Sequence, residues 1–525
     1  MCVFLLFGVK NEHKTTITIH FHFYITHVFK KLQLYSLLII TAMFIRIHKS
    51  ILLLFFGATI LVFCQCNSSR EKGNLIPSAL EDHPLYQYIH SEGNPLQYDI
   101  AETNKREGYT EYILKMISQH WLTKEEVDAT EWWHWVTVIV PDQVRFNTGL
   151  LFIGGGSREN TQPLTMDDRL VYTALTTQSV VTHIHNIPFQ PIYFKNDTVE
   201  FRYEDAIIAW GWRKFLERGA QDEDAHYLAR FPMTKAAVLA MDATTEVVKD
   251  QSNISVDSFV VAGASKRGWT VWTTAAMDNR VVACIPMVID LLNIWPSFMH
   301  HWQSYGEWSP AVNEYVAEGI MDWMDSKEFA RMLELTEPYS FRNMYTMPKL
   351  IINGTQDEFF LPDSWQFYRK GLPGETHFSY VPNAGHSLGG TYAQESLIAF
   401  YKMILEGKDR PKMDWEVTDF GFRIKTDPSR QPVEIKLWKA SNPIARDFRI
   451  YILGEAWTSQ ALEIQQSGIY EITLPNPAQG WQAFMVECTF EGKEKLKLTT
   501  GVKVLPDTYP YSPFVPAVKK GSPIQ

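Results

Sequence analysis

Between positions 109 and 405, short apolar runs alternate with stretches of helical periodicity. The apolar runs predict strands at 109–119, 132–140, 149–153, 180–187, 258–262, 281–289, 349–353 and 377–381. The amphipathic stretches predict helices at 166–177, 203–218, 233–249 and 391–405. Strands that alternate with helices are typical of a mostly parallel sheet covered on both faces. The pattern therefore predicts an α/β domain over about residues 86–410.

Two regions depart from this alternation. A segment of about residues 290–347 lies between two predicted strands and is rich in Trp, Tyr, Phe and His. This composition and length predict a helical cap that covers a binding pocket. After residue 410 the helical pattern stops, and short strands are predicted at 414–419, 433–439, 448–453, 469–474, 482–490 and 496–502. Short, regularly spaced strands indicate a small β-sandwich over 411–525.

The N-terminal region has the layout of an export signal. A basic segment from Met43 precedes an apolar core at 51–63, and small and polar residues follow it. The apolar core is short for a membrane-spanning helix. Cys64 or Cys66 could carry a lipid anchor. We expect residues 1–66 to be an upstream segment and a signal, 67–85 to be a tether, and the protein to be secreted or attached to the cell envelope.

Charge excludes one class of partner. The 525-residue chain has a formal net charge of −10, and residues 1–66 contribute +5 from six basic residues and one acidic residue. The remainder therefore carries −15, which is not the footprint of a nucleic-acid-binding protein. No metal-ligand spacing and no cofactor motif is present, so we expect neither a metal nor a cofactor. The expected partner is a small-molecule, peptide or ester substrate.

The stretch DSFVVAGASKRGWTVW contains the first candidate catalytic residue. An apolar strand ends at Gly263, Ser265 follows in a tight turn, and a helix begins directly afterwards. This is the context of a nucleophile elbow, in which the serine hydroxyl is exposed at the end of a strand. The second glycine of the usual motif is displaced by one position to Gly268, and Arg267 stands in its place.

A serine nucleophile needs a base, and the base needs an acid to orient it. Asp357 follows the predicted strand KLIIN, and His386 lies in the turn PNAGHS before the last helix. Serine, acid and histidine in this order match the α/β-hydrolase arrangement. Asp290, at the end of the preceding strand, and Glu358 are alternative acids.

The remaining candidate residues surround this predicted triad. The loop after LLFI begins with three glycines, and we expect Gly155 and Gly156, together with Lys266, to form the oxyanion hole. Trp269, His301 and Trp308 are expected to face the substrate.

The segments AGASKRGWTVW, IDLLN, HHWQSYGEWS, NGTQDEFFLPDS and PNAGHS resemble the PhoPQ-activated pathogenicity-related protein family over roughly residues 80–510. The resemblance implies an exported α/β-hydrolase-fold protein whose triad matches Ser265, Asp357 and His386. The shifted glycine is also similar to glucuronoyl esterases, which implies that Lys266 or Arg267 assists the oxyanion.

The sequence thus predicts an exported serine hydrolase that cleaves an ester or amide. The alternative is a non-catalytic binding or structural module on a hydrolase scaffold, because a fold alone does not fix a function.

Overall fold

The computed structural model describes residues 78–91 and 96–524. These residues belong to one compact unit, which extends over Asn74–Gln525. The predicted signal, the lipid-anchor candidates Cys64 and Cys66, and most of the predicted tether lie outside the described residues. Among the described residues, no helix is both long and apolar enough to span a bilayer.

The described residues contain strands and helices in the alternating order that the sequence predicts. The strands are β1 (Gln97–Arg106), β2 (Tyr109–His120), β3 (Glu131–Pro141), β4 (Thr148–Ile153), β5 (Val181–Ile184), β6 (Ser258–Ala264), β7 (Val281–Met287), β8 (Lys349–Gly354), β9 (Thr376–Val381), β10 (Met413–Thr418), β11 (Gly421–Thr426), β12 (Glu434–Asn442), β13 (Thr458–Ala461), β14 (Ile469–Thr473), β15 (Trp481–Phe490), β16 (Leu496–Thr499) and β17 (Lys503–Leu505). The α-helices are α1 (Ser78–Glu81), α2 (Pro84–Ile89), α3 (Asp168–Thr177), α4 (Asp205–Glu217), α5 (Arg230–Ser252), α6 (Lys266–Met277), α7 (Ile294–Tyr305), α8 (Asn313–Ala317), α9 (Lys327–Thr336), α10 (Ala393–Leu405) and α11 (Ile450–Leu453).

The large sheet has a parallel centre and antiparallel flanks. Its order is β1-β2-β3-β5-β4-β6-β7-β8-β9-β16-β15-β12-β13, and β17 pairs with β15. Six neighbouring strands run parallel, in the order β5, β4, β6, β7, β8 and β9. At the two ends of this group, β3 pairs with β5 and β16 pairs with β9 in antiparallel orientation. Because the carboxyl ends of parallel strands meet at one edge of a sheet, the loops that follow β4, β6, β7, β8 and β9 share that edge.

The C-terminal strands do not all form a separate layer. Strands β12, β13, β15, β16 and β17 continue the large sheet, and only β10, β11 and β14 form a small sheet of their own. The predicted α/β class with an additional C-terminal β region is confirmed, whereas the separate β-sandwich predicted over 411–525 is limited to this three-stranded sheet. The boundary predicted at residues 410/411 lies within the single compact unit and stays a prediction.

Two local predictions are wrong. Residues 78–85 of the predicted tether hold α1 and the start of α2, and Leu80 and Leu85 are buried in the core. The predicted strand at 448–453 is instead the short helix α11. Before it, Arg449 donates hydrogen bonds back to Asp447 at 3.0 Å, and this local pairing turns the chain away from an extended path.

The insertion between β7 and β8 packs on itself and on the domain. Phe298, Tyr315, Trp323 and Phe329 are buried there, as expected for rings that form the core of a cap. The cap also connects to the C-terminal region through a buried ionic group. Asp363 accepts from His300 at 2.8 Å and from Arg446 at 2.5 Å, so a loop after β8 connects α7 with the residues after β12.

Candidate active site

Ser265 occupies the turn between β6 and α6, as the sequence predicts. Its backbone has φ 58° and ψ −128°, a conformation that costs a non-glycine residue about 1–3 kcal/mol. The Ser265 N–H donates to the Met287 carbonyl at 2.8 Å, which fixes the turn against the end of β7. The side chain is half-buried, and within the described chain its Oγ makes no hydrogen bond. The hydroxyl is therefore held in a strained turn with its bonding capacity unused.

Close packing of the strand and the helix explains the unusual glycine spacing at this turn. A Cβ on Gly263 would lie 3.1 Å from the carbonyl oxygens of Ile153 and Arg267. A Cβ on Gly268 would lie 2.9 Å from the Met287 carbonyl oxygen and 3.1 Å from that of Gly263. Both glycines thus serve the same contact between β6 and α6, and Arg267 is tolerated because its side chain extends away from that contact.

Asp357 and His386 are brought together by the loops after β8 and β9. Asp357 Oδ2 lies 2.8 Å from His386 Nδ1. The second carboxylate oxygen, Oδ1, accepts from the N–H groups of Phe359 and Phe360 at 2.7 and 3.2 Å. Asp357 is buried, while the His386 side chain is 19% exposed and stacks on the Phe359 ring at 4.2 Å. This arrangement leaves Nε2 of His386 as the nitrogen available for proton transfer.

The alternative acids occupy other positions. Asp290 accepts hydrogen bonds from the hydroxyls of Tyr368 and Tyr380 at 2.6 and 2.5 Å, and burial raises its pKa to about 8. Glu358 accepts from the backbone N–H of His386 at 2.7 Å. Neither carboxylate contacts the His386 ring through a hydrogen bond. Of the three candidate acids, only Asp357 is bonded to the imidazole.

In the glycine loop after β4, which is predicted to form the oxyanion hole, the carbonyl oxygens of Gly155 and Gly156 accept hydrogen bonds and their amides donate none within the described residues. The Gly155 oxygen accepts from Asn186 N at 2.9 Å, and the Gly156 oxygen accepts from Gln190 Nε2 at 2.7 Å. Within the described residues, the N–H groups of Gly155 and Gly156 make no hydrogen bond. The N–H of Lys266, as the first residue of α6, has no acceptor in its own helix. These three amides lie near the carboxyl ends of β4 and β6, and none of them has an acceptor within the described residues.

A charged network that sequence reasoning missed supports this loop. Arg267 donates to Glu204 Oε1 at 2.6 Å and to the Ile187 carbonyl. Lys266 Nζ lies 2.9 Å from Glu204 and 2.8 Å from Asp205. Although burial alone would raise the pKa of Glu204, the charges of Arg267 and Lys266 lower it to about 2. Since the Lys266 ammonium is paired in this way, its backbone N–H is the part that remains for an oxyanion.

Glu204 is itself strained, with φ 51° and ψ −123° at the start of α4. The chain positions 204 and 267 are 63 residues apart, and no local pattern links them. The sequence signal for this residue is the acidic pair Glu204–Asp205 at the start of a helix. Such a pair usually indicates only a favourable charge at a helix N-terminus.

A narrow cavity of about 40 Å³ opens beside Ser265. Trp269, which is predicted to face the substrate, is one of its lining residues, and its Nε1 donates to the Thr336 carbonyl at 2.8 Å. His301 and Trp308 do not line it. The His301 ring accepts from Ser309 N at 3.0 Å and packs 5.6 Å from Trp308, and burial lowers its pKa to about 3. Both side chains are part of the internal packing of the cap.

Arg230 also lines this cavity and was not predicted. It is 3% exposed, donates to the Lys266 carbonyl at 2.9 Å and stacks over the Trp269 ring at 4.2 Å. No carboxylate within the described chain forms an ion pair with it, and burial lowers its pKa. The wall next to Ser265 therefore carries two cations, Arg230 and Lys266, against the one carboxylate of Asp205.

A second, larger cavity of about 390 Å³ lies on the other side of the elbow. It is bordered by Ala264 and Met287 at the strand ends and by Ser387 and Leu388, which follow His386. Arg169, whose side chain is 71% exposed, stands at its rim. The two sides of the elbow thus differ in size, with a narrow cavity beside Ser265 and a large one beside Ala264.

The sequence profile of the PhoPQ-activated pathogenicity-related proteins matches residues 85–449, a span that includes the elbow, Asp357 and His386. The chain belongs to this family. A relative in it is the Autocrine proliferation repressor protein A of Dictyostelium discoideum, which is 35% identical over 457 residues. That alignment covers 82% of this chain and 91% of the relative.

Solved structures with a similar fold include esterases. An acetyl xylan esterase from Paenibacillus sp. R4 is 13% identical, with a TM-score of 0.43, over 61% of this chain and 92% of that one. A glucuronoyl esterase from Solibacter usitatus is 12% identical, with a TM-score of 0.36, over 61% and 90% of the two chains. Likenesses of this size carry no conclusion about the activity or the substrate of the chain described here.

Proposed function

We propose that this protein is a serine hydrolase that cleaves an ester or amide through Ser265, His386 and Asp357. The observation that carries the proposal is the hydrogen bond between Asp357 and His386 Nδ1 at the same sheet edge as the strained Ser265. An acid bonded to Nδ1 fixes the tautomer in which Nε2 is the base. Phe359 and Phe360 pack against the His386 ring and also line the cavity at Ser265, so these two rings connect the proposed base with the cavity beside the nucleophile.

The proposed reaction has two stages. Ser265 Oγ bonds to the substrate carbonyl carbon while its proton passes to His386 Nε2, and the carbonyl oxygen becomes an oxyanion. The N–H of Lys266 and those of Gly155 and Gly156 donate to that oxyanion. Collapse breaks the bond to the alcohol or amine, which leaves with the proton from His386. A water molecule then gives a proton to His386 while its oxygen bonds to the acyl carbon. The bond from that carbon to Ser265 Oγ breaks, His386 returns the proton to Oγ, and the acid is released.

Active-site labelling tests this proposal. A fluorophosphonate probe bonds covalently to an activated serine, and we expect wild-type protein to be labelled at Ser265. The Ser265→Ala variant should lose the label, and His386→Ala should react at least about a hundredfold more slowly. Wild-type protein without an adduct, or an adduct that persists in Ser265→Ala, would refute the proposed chemistry.

The second candidate function is a non-catalytic binding or structural module. The name of the 35% identical relative describes a repressor of proliferation rather than an enzyme, and this observation favours the alternative. Absence of labelling in folded wild-type protein would support it.

Export belongs to the proposal as well. It is supported by the basic and apolar pattern of residues 43–66. Fractionation of cells that express the full chain tests it, with retention in the cytoplasm as the contradicting result.

A further inference from the structure

We infer that the substrate carries a short acyl group of about acetyl size, which the narrow cavity beside Ser265 receives. This inference rests on the proposed function, because it names the substrate class of the same site. It is carried by the volume of the cavity, by the rigidity of its walls and by the position of its mouth.

The volume sets the limit. One water molecule needs about 10–15 Å³ of such space, so 40 Å³ holds about three non-hydrogen atoms. An acetyl group has three non-hydrogen atoms. A hexanoyl chain adds four carbons beyond this limit, and they would have to displace protein atoms.

The walls are buried and packed from several elements. Trp212 from α4, Trp269 from α6, Phe298 from α7, Val312 before α8 and Phe360 after β8 are each at most 6% exposed. Rings and branched side chains in such packing yield little, and an added methylene in a packed interior is disfavoured. The cavity is thus unable to lengthen without a change in its own wall.

The mouth lies at the nucleophile. Ser265, Leu291, Phe359 and Asp205 are the partly exposed members of the lining, and the other members are buried. A group that enters from Ser265 therefore meets a buried wall that includes Val312 and Trp212.

The order of the reaction assigns the acyl group to this side. After the first stage, water must reach the acyl-enzyme where the leaving group stood, so the leaving-group side must be open to solvent. The 390 Å³ cavity bordered by Ser387, Leu388 and the exposed Arg169 has room for a leaving group and water, whereas the 40 Å³ cavity holds only about three non-hydrogen atoms. The narrow cavity accordingly holds the acyl part, and the large cavity holds the alcohol or amine.

A chain-length series tests the inference on the full-length protein. We expect kcat/KM for p-nitrophenyl esters to fall at least about tenfold from acetate to hexanoate. An open apolar groove would give the opposite trend, with a gain of about fourfold for each buried CH2. Acetate esters of larger alcohols, such as α-naphthyl acetate, should be hydrolysed within about tenfold of p-nitrophenyl acetate.

Two valines provide a matched pair of variants. Val312→Ala enlarges the end of the cavity and should raise the butyrate-to-acetate ratio of kcat/KM at least about threefold. Val316→Ala removes the same atoms from an exposed position on α8 and should leave the ratio unchanged. Equal ratios in both variants would refute the assignment of this cavity.

Labelling separates this inference from the proposed function. Phosphonofluoridates that carry a methyl or a hexyl group on phosphorus probe the same cavity without turnover. We expect the methyl reagent to label Ser265 at least about tenfold faster. Labelling at Ser265 with no preference, or with a preference for hexyl, would refute the short-acyl inference while the serine hydrolase stands. Failure of both reagents would refute the proposed function, and the inference with it.

Discussion

The carboxylate of Asp357 holds His386 through one oxygen and its own loop through the other. Oδ2 lies 2.8 Å from His386 Nδ1, and Oδ1 accepts the amides of Phe359 and Phe360. The direction of the imidazole is therefore fixed by the backbone that follows β8, not by a mobile side chain alone.

Replacement of Asp357 by Asn should lower kcat by about 10³–10⁴-fold, because an amide can donate to Nδ1 and stabilise the wrong tautomer. The matched control is Asp290→Asn, which changes a carboxyl held by Tyr368 and Tyr380 instead. It should retain kcat within about fivefold. Ester hydrolysis at saturating substrate measures both, and a larger loss in Asp290→Asn would identify Asp290 as the acid.

Ser265→Gly should be more stable than Ser265→Ala by about 1 kcal/mol, although both lack the nucleophile. Position 265 has φ 58°, which glycine adopts without the strain that a Cβ imposes. Urea unfolding followed by tryptophan fluorescence measures the difference. Equal midpoints for the two variants would mean that the elbow stores no strain.

Gly155→Ala should lower kcat/KM by about ten- to a hundredfold. A Cβ at this position would lie 2.6 Å from an Arg267 nitrogen, so the loop or the guanidinium has to move away from the position that aligns the oxyanion donors. Gly389→Ala is the control, since a Cβ there meets only Ser387 Oγ at 3.5 Å. A loss of similar size in both variants would point to a general effect of glycine replacement.

The contribution of Asp290 to stability should fall as pH rises from about 4 to about 8, whereas the contribution of the buried His301, whose pKa is lowered, rises over the lower part of that range. Burial raises the pKa of Asp290 to about 8, whereas an aspartate in the unfolded chain titrates near 3.9. Between these values the folded state keeps a proton that the unfolded state has lost, so rising pH favours unfolding. Glu337, whose pKa burial also raises to about 8, acts in the same direction.

Urea midpoints at pH 5, 6, 7 and 8 test this expectation. The Asp290→Asn variant lacks the titrating group, so the midpoint of wild type should fall relative to that of the variant as pH rises. Glu204 does not change stability between pH 5 and pH 8, because its pKa in the folded state is about 2. The stabilisation by its charge is lost only when the pH falls below the pKa of glutamate in the unfolded chain. A decline of the same slope in wild type and Asp290→Asn would exclude Asp290 as its source.

The sequence sufficed for the parts of the site that follow from local patterns. Ser265, Asp357 and His386 each lie in the turn or loop that follows an apolar strand, and parallel strands place such residues at one edge. The support of the oxyanion loop by Glu204 and Arg267 could not be found in this way, because a contact across 63 positions leaves no periodic signal. The same holds for Arg230, whose position under Trp269 depends on how α5 packs on α6.

Strand pairing shows the same limit. Alternation and turns predict five of the eight C-terminal strands, β10, β12, β14, β15 and β16, but do not predict their partners. Whether β16 pairs with β9 or stays within a separate sandwich depends on edges that only the folded domain creates.

The pairing of β16 with β9 has a practical consequence for anyone who shortens this protein. A fragment that ends after α10 would keep the whole parallel centre and every residue of the proposed triad, yet it would leave the backbone of β9 bare along one side. Uncovered strands of this kind recruit other chains. Truncation at residue 410 should therefore yield aggregates rather than a minimal enzyme.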